Sequence, residues 1–377
     1  KYKAILDKYF EYPQAIYKHL TKLRDKIKRS RDLKKFSKEI KSVEKEITLF
    51  HAKTISQILK KTKINVNFIG FHGQTIYHNA KERISIQLGD GKLLSKIIME
   101  SNSNIDFIGF HGQTIFHNSK EKISKQLGDG RLLSKLLKKT VIYDFRQNDL
   151  KNGGQGAPLT PIFHKLLKKK LNLKSATFFN IGGIINETSI FDDGKLYAHD
   201  IGPGMCLIDK WIRENSKKRY DDKGNIAKSG KVNEKVFDTA FRNWRWTIGM
   251  KEKKSLDIKE VELYFDNSLQ NLTLKDGAAT LTAFTVEVFA DFLPSMFGSH
   301  PNYHRFIFCG GGRKNNFLIK SLNNLLGITE LIDDLGIDGD FVESQAFAYL
   351  AVRSYLKLPI SFPETTGCKK PITGGKI

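Results

Sequence analysis

At 377 residues, 40% hydrophobic and 27% charged, the chain has the make-up of two medium folded domains, and no apolar run approaches the ~20 residues that span a bilayer. A formal net charge of +23 comes from dispersed lysines, with no RNP-type aromatic motif, zinc-finger spacing or arginine cluster. It therefore reads as a solvated surface that attracts anionic ligands, and no nucleic-acid or membrane partner is expected.

The opening KYKAILDKYF alternates weakly, as a strand does, until Tyr12-Pro13. It lacks the apolar stretch and small-residue cleavage site of a secretory signal, so a cytoplasmic location is expected. With no initiator Met at Lys1, residues are expected upstream. From there to about Lys61 the pattern reads as two helices, the second being VEKEITLFHAKTISQILKK.

INVNFIGF is a short apolar strand, followed by GFHGQTIYHN from Gly70; GFHGQTIFHN follows from Gly109. The repeat is longer than these motifs: residues 65–98 match 104–137 at an offset of 39, with 25 of 34 positions identical. Each copy reads as a strand, a hairpin containing QLGDG, and a helix start. Two copies are fewer than the about three a stacked array needs, so the repeat reads as a recent tandem duplication.

TVIYDFR is a strand ending near Asp144, and KNGGQGAPLTP is a glycine-rich turn before a helix from about Pro161. ATFFNIGGIINETSIF and DDGKLYAHDIGPG read as strands joined by a turn at 192–194, and LIDKWIRENSKK opens a helix. Residues 221–262 read as polar and irregular, with short helices. TLTAFTVEVFADFLPSMF is a helix, RFIFCGGGRKN a strand and glycine loop, and NNFLIKSLNNLL and ESQAFAYLAVRSYL are helices. The last of these precedes a loop-like tail, FPETTGCKKPITGG. Strands alternating with helices predict an α/β architecture.

Three isolated cysteines, Cys206, Cys309 and Cys368, exclude a disulfide framework or a CxxC zinc site. The glycine loops NIGGIIN (180–186), DIGPG (200–204) and CGGGRKN (309–315) can bring backbone N–H groups up to an anion. None matches a P-loop or a GxGxxG fingerprint, but three together, with Asp200 beside one, point to a nucleotide. Asp144, at a strand end where open α/β sheets dock ligands, can act as a general base; the alternative is a cap, the role expected of Asp149. The HGQT set offers hydrogen bonds to a polyhydroxylated ligand, or else satisfies a buried hairpin. The spacing of His72 from His78, and of His111 from His117, is not that of a metal pair.

These motifs, in this order, resemble the anhydro-N-acetylmuramic acid kinase family. The matching stretches are IGFHGQTI, QLGDG, DFRQNDLKNGGQGAPLTPIFH, FFNIGGIIN, HDIGPG with LIDKW, DGAATLTAFT, CGGGRKN, DGDFVESQAFAYLA and FPETTG, spread over the chain. The resemblance implies an α/β, two-domain actin-like ATPase/sugar kinase fold with mixed sheets flanked by helices. Residues 1–150 would be the sugar and catalytic-base domain and 151–377 the nucleotide domain, with the final helix returning to the first. It implies ATP and Mg2+ as cofactors, an amino sugar as substrate, a homodimer, and a role in peptidoglycan recycling. The family opens the 1,6-anhydro bond with water and phosphorylates O6. By correspondence Asp144 is the base, and His111, Gln113, Thr114, Arg146, Gly154, Gln155 and Gly156 bind the sugar. Gly182, Gly183, Asn186, Asp200, Gly202, Gly204, Gly310, Gly311, Gly312 and Asn315 bind the nucleotide, Asn315 at the adenosine.

The chain departs from the family pattern at several points. The GTSxDG phosphate loop that opens the family is absent here. Ile201 and Met205 replace a Thr and an Asn of the phosphate turn, and the family has one HGQT unit. Copy two is expected beside TVIYDFR, supplying the site, with copy one at the sheet edge or outside the core. The alternatives are an inactive relic that still binds sugar or a partner, and, on charge alone, a nucleic-acid-binding protein.

Overall fold

The computed structural model describes residues 12–27, 29–47, 50, 68–71, 107–127, 130–131, 134, 140–248, 256, 265, 268–292, 303–327 and 329–377. Two compact units emerge. The described residues up to Phe163 join Asp340–Ile377 in the first, and His164–Gly339 forms the second. The division falls later than residue 150, and all of Asp340–Ile377, not its helix alone, belongs to the first unit.

The first unit begins with helices at Gln14–Lys26, Ser30–Lys35 and 37–47. The expected first helix is thus interrupted at Ile27, at Arg29 and at Phe36. Leu20, Leu23 and Ile27 recur at helical spacing and are buried with Ile40, Val43 and Ile47, so the helices share one apolar seam. The first ten residues and 51–67, where a strand and most of the second helix are expected, lie outside the described residues.

Next come β1 (Phe68–Phe71), β2 (Phe107–Phe110), β3 (Gln113–Asn118), β4 (Ile123–Leu127) and β5 (Thr140–Tyr143). β1 and β2 are the FIGF segments of the two copies. They pair in parallel, each residue beside its own counterpart from Phe68–Phe107 to Phe71–Phe110. β2 pairs in parallel with β5 on its other side, giving the order β1–β2–β5. Copy two therefore lies next to TVIY, and the strand of copy one lies beyond it, outermost among the described strands. The rest of copy one, Gln74 included, is outside the described residues. β3 and β4 form an antiparallel hairpin with an irregularity between Thr114 and Phe116.

The helix Val342–Tyr355 packs on this sheet, and Gly109 sets how close it comes. A Cβ at that position would lie 2.7 Å from the Ala351 Cβ and 3.3 Å from the Phe347 carbonyl oxygen. Phe145, Phe347, Leu350, Ala351 and Ile360 fill the interface. The tail is not loop-like throughout. Residues 363–366 are helical, Ser361 pairs with Ile372, and Lys376 pairs with Tyr143 at the end of β5.

The second unit is a mixed sheet in the order β10–β9–β6–β7–β8. Its strands are β6 (Ala176–Ile181), β7 (Ile184–Ile190), β8 (Leu196–Pro203), β9 (Arg305–Cys309) and β10 (Glu330–Leu331). β6 is parallel to β9 and antiparallel to β7. Covered on both faces, β6 buries Ala176, Phe178, Phe179 and Ile181 completely, which is why its sequence is continuously apolar rather than alternating. The helices Cys206–Asn215, Glu234–Ile248 and Leu274–Phe292 contribute Trp211, Trp244, Phe284 and Phe289 to one core. Glu234–Ile248 corrects the reading of 221–262 as irregular. Phe237, Ala240, Phe241 and Trp244 recur every three or four residues and make a regular amphipathic helix of 15 residues, although polar and apolar side chains are near equal in number along it.

Gly109→Ala should destabilise the first unit by about 2 kcal/mol, because the added methyl overlaps Ala351 and the helix must shift. Chemical denaturation followed by circular dichroism measures this, and an unchanged midpoint would contradict the close approach.

Candidate functional site

In the first unit, β5 delivers Asp144 at its end. The chain turns there with Asp144 at φ 57°, a left-handed conformation that costs a non-glycine residue about 1 kcal/mol and that Asp tolerates better than most. Asp144 Oδ2 lies 2.6 Å from Lys376 Nζ. A short helix, Gln147–Lys151, follows, which the sequence pattern did not suggest.

The GGQG turn is held from four directions. Arg146 donates from Nε to His111 Nε2 (3.0 Å) and from Nη1 to the Gly156 carbonyl (2.7 Å). His117 donates from Nε2 to the Gln155 carbonyl (2.9 Å) and accepts from Ser124 Oγ at Nδ1 (3.0 Å). Thr366 accepts from the Gln155 amide at its carbonyl (2.8 Å). The Asp149 carboxylate, 1% exposed, accepts from the Gly156 amide (2.7 Å) and from Thr366 Oγ1 (2.6 Å). Asp149 thus does more than cap a helix end. It ties the glycine turn to the FPETTG segment, and Gly154 is a glycine because a Cβ there would overlap this carboxylate.

His111 is buried against the Phe347 ring, with centroids 4.1 Å apart. It donates from Nδ1 to the Gly112 carbonyl (2.6 Å), which leaves Nε2 to accept from Arg146. Burial, assisted by the Arg146 charge, lowers the His117 pKa to about 4, so this ring is neutral near pH 7. Both histidines belong to copy two. The backbone of Gln113 and Thr114 lies in β3, and their side chains are outside what is described. His111, Arg146, Gly154, Gln155 and Gly156 are brought together as neighbours of Asp144's strand end. Sequence reasoning missed Thr366, Lys376 and the turn-holding roles of His117 and Asp149. The FPETTG and DFRQNDL matches were the signal for Thr366 and Asp149; His117 lies just past the IGFHGQTI match, and Lys376 lies in none of the matching stretches.

In the second unit, Asn180, Asn186 and Asp200 stand abreast on β6, β7 and β8. Asp200 Oδ2 accepts from the Leu256 amide (2.7 Å). The DIGPG loop is a strand as far as Pro203, because Gly202 and Pro203 pair with Ile185 and Ile184 of β7. Its turn is laced to NIGG: the amides of Gly204 and Met205 donate to the Gly183 and Gly182 carbonyls (2.9 Å each), and the Cys206 amide donates to Gly183 (3.2 Å). These N–H groups are therefore consumed internally, which corrects their reading as free anion donors. Among the described residues, the Gly183 N–H has no hydrogen-bond partner. Ile201 and Met205 are buried in the core, which accounts for their apolar character.

Gly310 (φ 82°) follows β9 so closely against β6 that a Cβ would lie 2.5 Å from Asn180 Oδ1. Gly311 and Gly312 continue as a 3-10 turn into Asn315. Arg313, 4% exposed, binds the Asp333 carboxylate with Nε and Nη2 and the Gly310 carbonyl with Nη1, bracing the loop. Asn315 caps the helix Asn316–Leu326 by accepting from the Leu318 amide (3.0 Å). Among the described residues its Nδ2 is buried without a partner, a state that costs about 1–3 kcal/mol unless a ligand supplies an acceptor.

A carboxylate at the end of a parallel strand, and glycine turns that present donors, are features of α/β proteins that dock ligands at strand ends. The model of the family described as "Anhydro-N-acetylmuramic acid kinase" matches residues 1–99 and 92–377, the two stretches overlapping at the end of the first repeat copy. A protein of that name from Pelagibacter ubique (strain HTCC1062) is 43% identical over 383 residues, covering 100% of this chain and 91% of its own length. Its namesake from Methylobacterium nodulans is 42% identical over 335 residues (87% and 77%). The chain belongs to the anhydro-N-acetylmuramic acid kinase family. Among solved structures, the activator of the 2-hydroxyisocaproyl-CoA dehydratase from Clostridium difficile with bound ADPNP matches at a TM-score of 0.36 and 11% identity, covering 74% of this chain and 89% of its own, a slight likeness.

Asp149→Ala should leave the Gly156 amide and Thr366 hydroxyl without their acceptor and destabilise the first unit by about 1–3 kcal/mol. Thermal melts of the variant check this, with Asp149→Asn expected to fall between it and wild type. The depressed His117 pKa makes a pH prediction. The unfolded ring protonates near 6.5 and the folded one only near 4, so the ring's stabilising contribution is complete above pH 6.5 and is lost as pH falls toward 4. The stability difference between wild type and His117→Asn should shrink by about 3 kcal/mol across that window. A difference independent of pH would contradict the burial assigned to this ring.

Proposed function

We infer that the protein is an ATP-dependent kinase that opens 1,6-anhydro-N-acetylmuramic acid with water and phosphorylates O6, yielding N-acetylmuramic acid 6-phosphate for peptidoglycan recycling in the cytoplasm. Family membership over the whole chain carries this reading. The observation that gives it chemical content is Asp144, an acid at the end of β5 beside the turn braced by His111, Arg146 and Asp149.

In this mechanism the Asp144 carboxylate takes a proton from water as the water oxygen bonds to the anomeric carbon. The bond from that carbon to O6 breaks, and its electrons leave with O6, which attacks the γ-phosphorus as ADP departs. Arg146 and the GGQG turn would orient the sugar, with Gln113 and Thr114 offering further hydrogen bonds, while His111, both of whose ring nitrogens are engaged, would hold Arg146 in place. In the second unit the Gly183 amide and the Asn315 carboxamide would accept the nucleotide, their spare donors matching phosphate and base acceptors.

Magnesium, when bound, neutralises phosphate charge. Asp200 is the carboxylate in the Asn180–Asn186–Asp200 row that could help to hold it, with phosphate and water supplying most other ligands, as Mg2+ commonly has them. A homodimer is proposed on family grounds.

ATP consumption dependent on the anhydro sugar tests the reading directly, and absence of turnover by the full-length protein would defeat it in favour of an inactive relic. Asp144→Asn should lower turnover by about 10²- to 10⁴-fold while leaving ATP affinity unchanged by calorimetry. Retained turnover would refute Asp144 as the base.

A further inference from the structure

The geometry points to Lys376 as the residue that positions the Asp144 carboxylate for its work as base. This inference rests on the reading of Asp144 given above and adds to it a residue from the far end of the chain. Lys376 Nζ lies 2.6 Å from Asp144 Oδ2. A lysine on a free tail would make such a contact only transiently, but the backbone that carries this one is fixed. Its amide donates to the Tyr143 carbonyl (2.6 Å), and its carbonyl accepts from the Tyr143 amide (2.9 Å), so Lys376 continues the sheet beside the end of β5.

The residues leading to it are fixed as well. Asn148 Nδ2 donates to the Thr373 carbonyl (2.6 Å), and Ile372 accepts from the Ile360 and Ser361 amides and donates to the Ser361 carbonyl. Gly374 fits against the Phe145 carbonyl, where a Cβ would approach to 2.8 Å. Gly375, at φ 73°, turns the chain into the bridge with Tyr143.

Asp144 and Lys376 are thus presented from neighbouring backbone segments. A carboxylate has two oxygens, and general-base catalysis uses one of them to receive the proton. With Oδ2 held by the ammonium, Oδ1 is left to take the proton, and rotation about the side-chain bonds is restrained. The Lys376 side chain remains 54% exposed and the Asp144 side chain 21%, so the pair is open to ligands rather than sealed in the core. Ion pairs this exposed contribute little to stability. That separates a positioning role from a structural one: removing the ammonium should leave the fold intact and harm the reaction.

The test measures steady-state kinetics with the anhydro sugar and ATP for wild type, Lys376→Met and Lys376→Arg, with melting temperatures alongside. Lys376→Met should lower kcat by about 10- to 100-fold, the scale of a misplaced catalytic group, with KM for ATP and the melting temperature unchanged. Lys376→Arg, which restores a cation, should recover most of the loss. A wild-type rate in Lys376→Met would overturn this proposal alone and leave the kinase reading standing. So would a loss of rate that follows a lower melting temperature and is not rescued by Arg, since that is the signature of a structural residue. No turnover in wild type would defeat the kinase reading itself and this role with it.

Discussion

The buried carboxylate of Asp149 is the point on which the first unit's site depends. One oxygen receives the Gly156 amide and the other the Thr366 hydroxyl, so a single charge joins the glycine turn after β5 to a segment some two hundred residues later in the chain. An ionised group so deeply buried is tolerated only when its oxygens find donors. The arrangement is mutually dependent: the glycines permit the approach, the approach satisfies the acid, and the satisfied acid fixes the carbonyls that Arg146 and His117 reach. The second unit uses the opposite device. Its turns are laced by backbone bonds between Gly182–Gly183 and Gly204–Cys206, with Arg313 bracing the third loop.

The duplication shows how a sheet chooses between two nearly identical strands. FIGF occurs in both copies, and β1 and β2 pair residue for residue, so local propensity cannot distinguish them. Position in the chain does. Copy two is joined by a short connection to β5, while copy one adds a strand at the outer side of β2. His111 and His117 then reach Arg146 and the Gln155 carbonyl from copy two. An edge strand tolerates an extra member because its far side presents unpaired backbone groups to the next one.

Much of the architecture was legible because it rests on short-range patterns. TVIY reads as a strand and ends where a strand end is found; FF in ATFFNI marks a doubly covered strand; NNFLIKSLNNLL has the spacing and the Asn cap of a helix. Where the reading went astray, a longer-range interaction had intervened. DIGP looked like a loop because of its glycine and proline, yet pairing with β7 carries the strand through Pro203. Residues 234–248 looked irregular because polar residues outnumber the apolar stripe that packs on the core.

The amino-acid sequence by itself determined the alternation of strands and helices, the glycine turns at strand ends, the family, and the placing of Asp144 where a base would stand. Each of these is encoded in contiguous residues, in their periodicity or in the backbone freedom of glycine. The tertiary structure alone decided which turn amides are already spent on neighbouring carbonyls, and that Asp149 meets Thr366 and Asp144 meets Lys376. Those are pairings between residues far apart in the chain. Their existence depends on how the backbone closes on itself, and no local pattern records that.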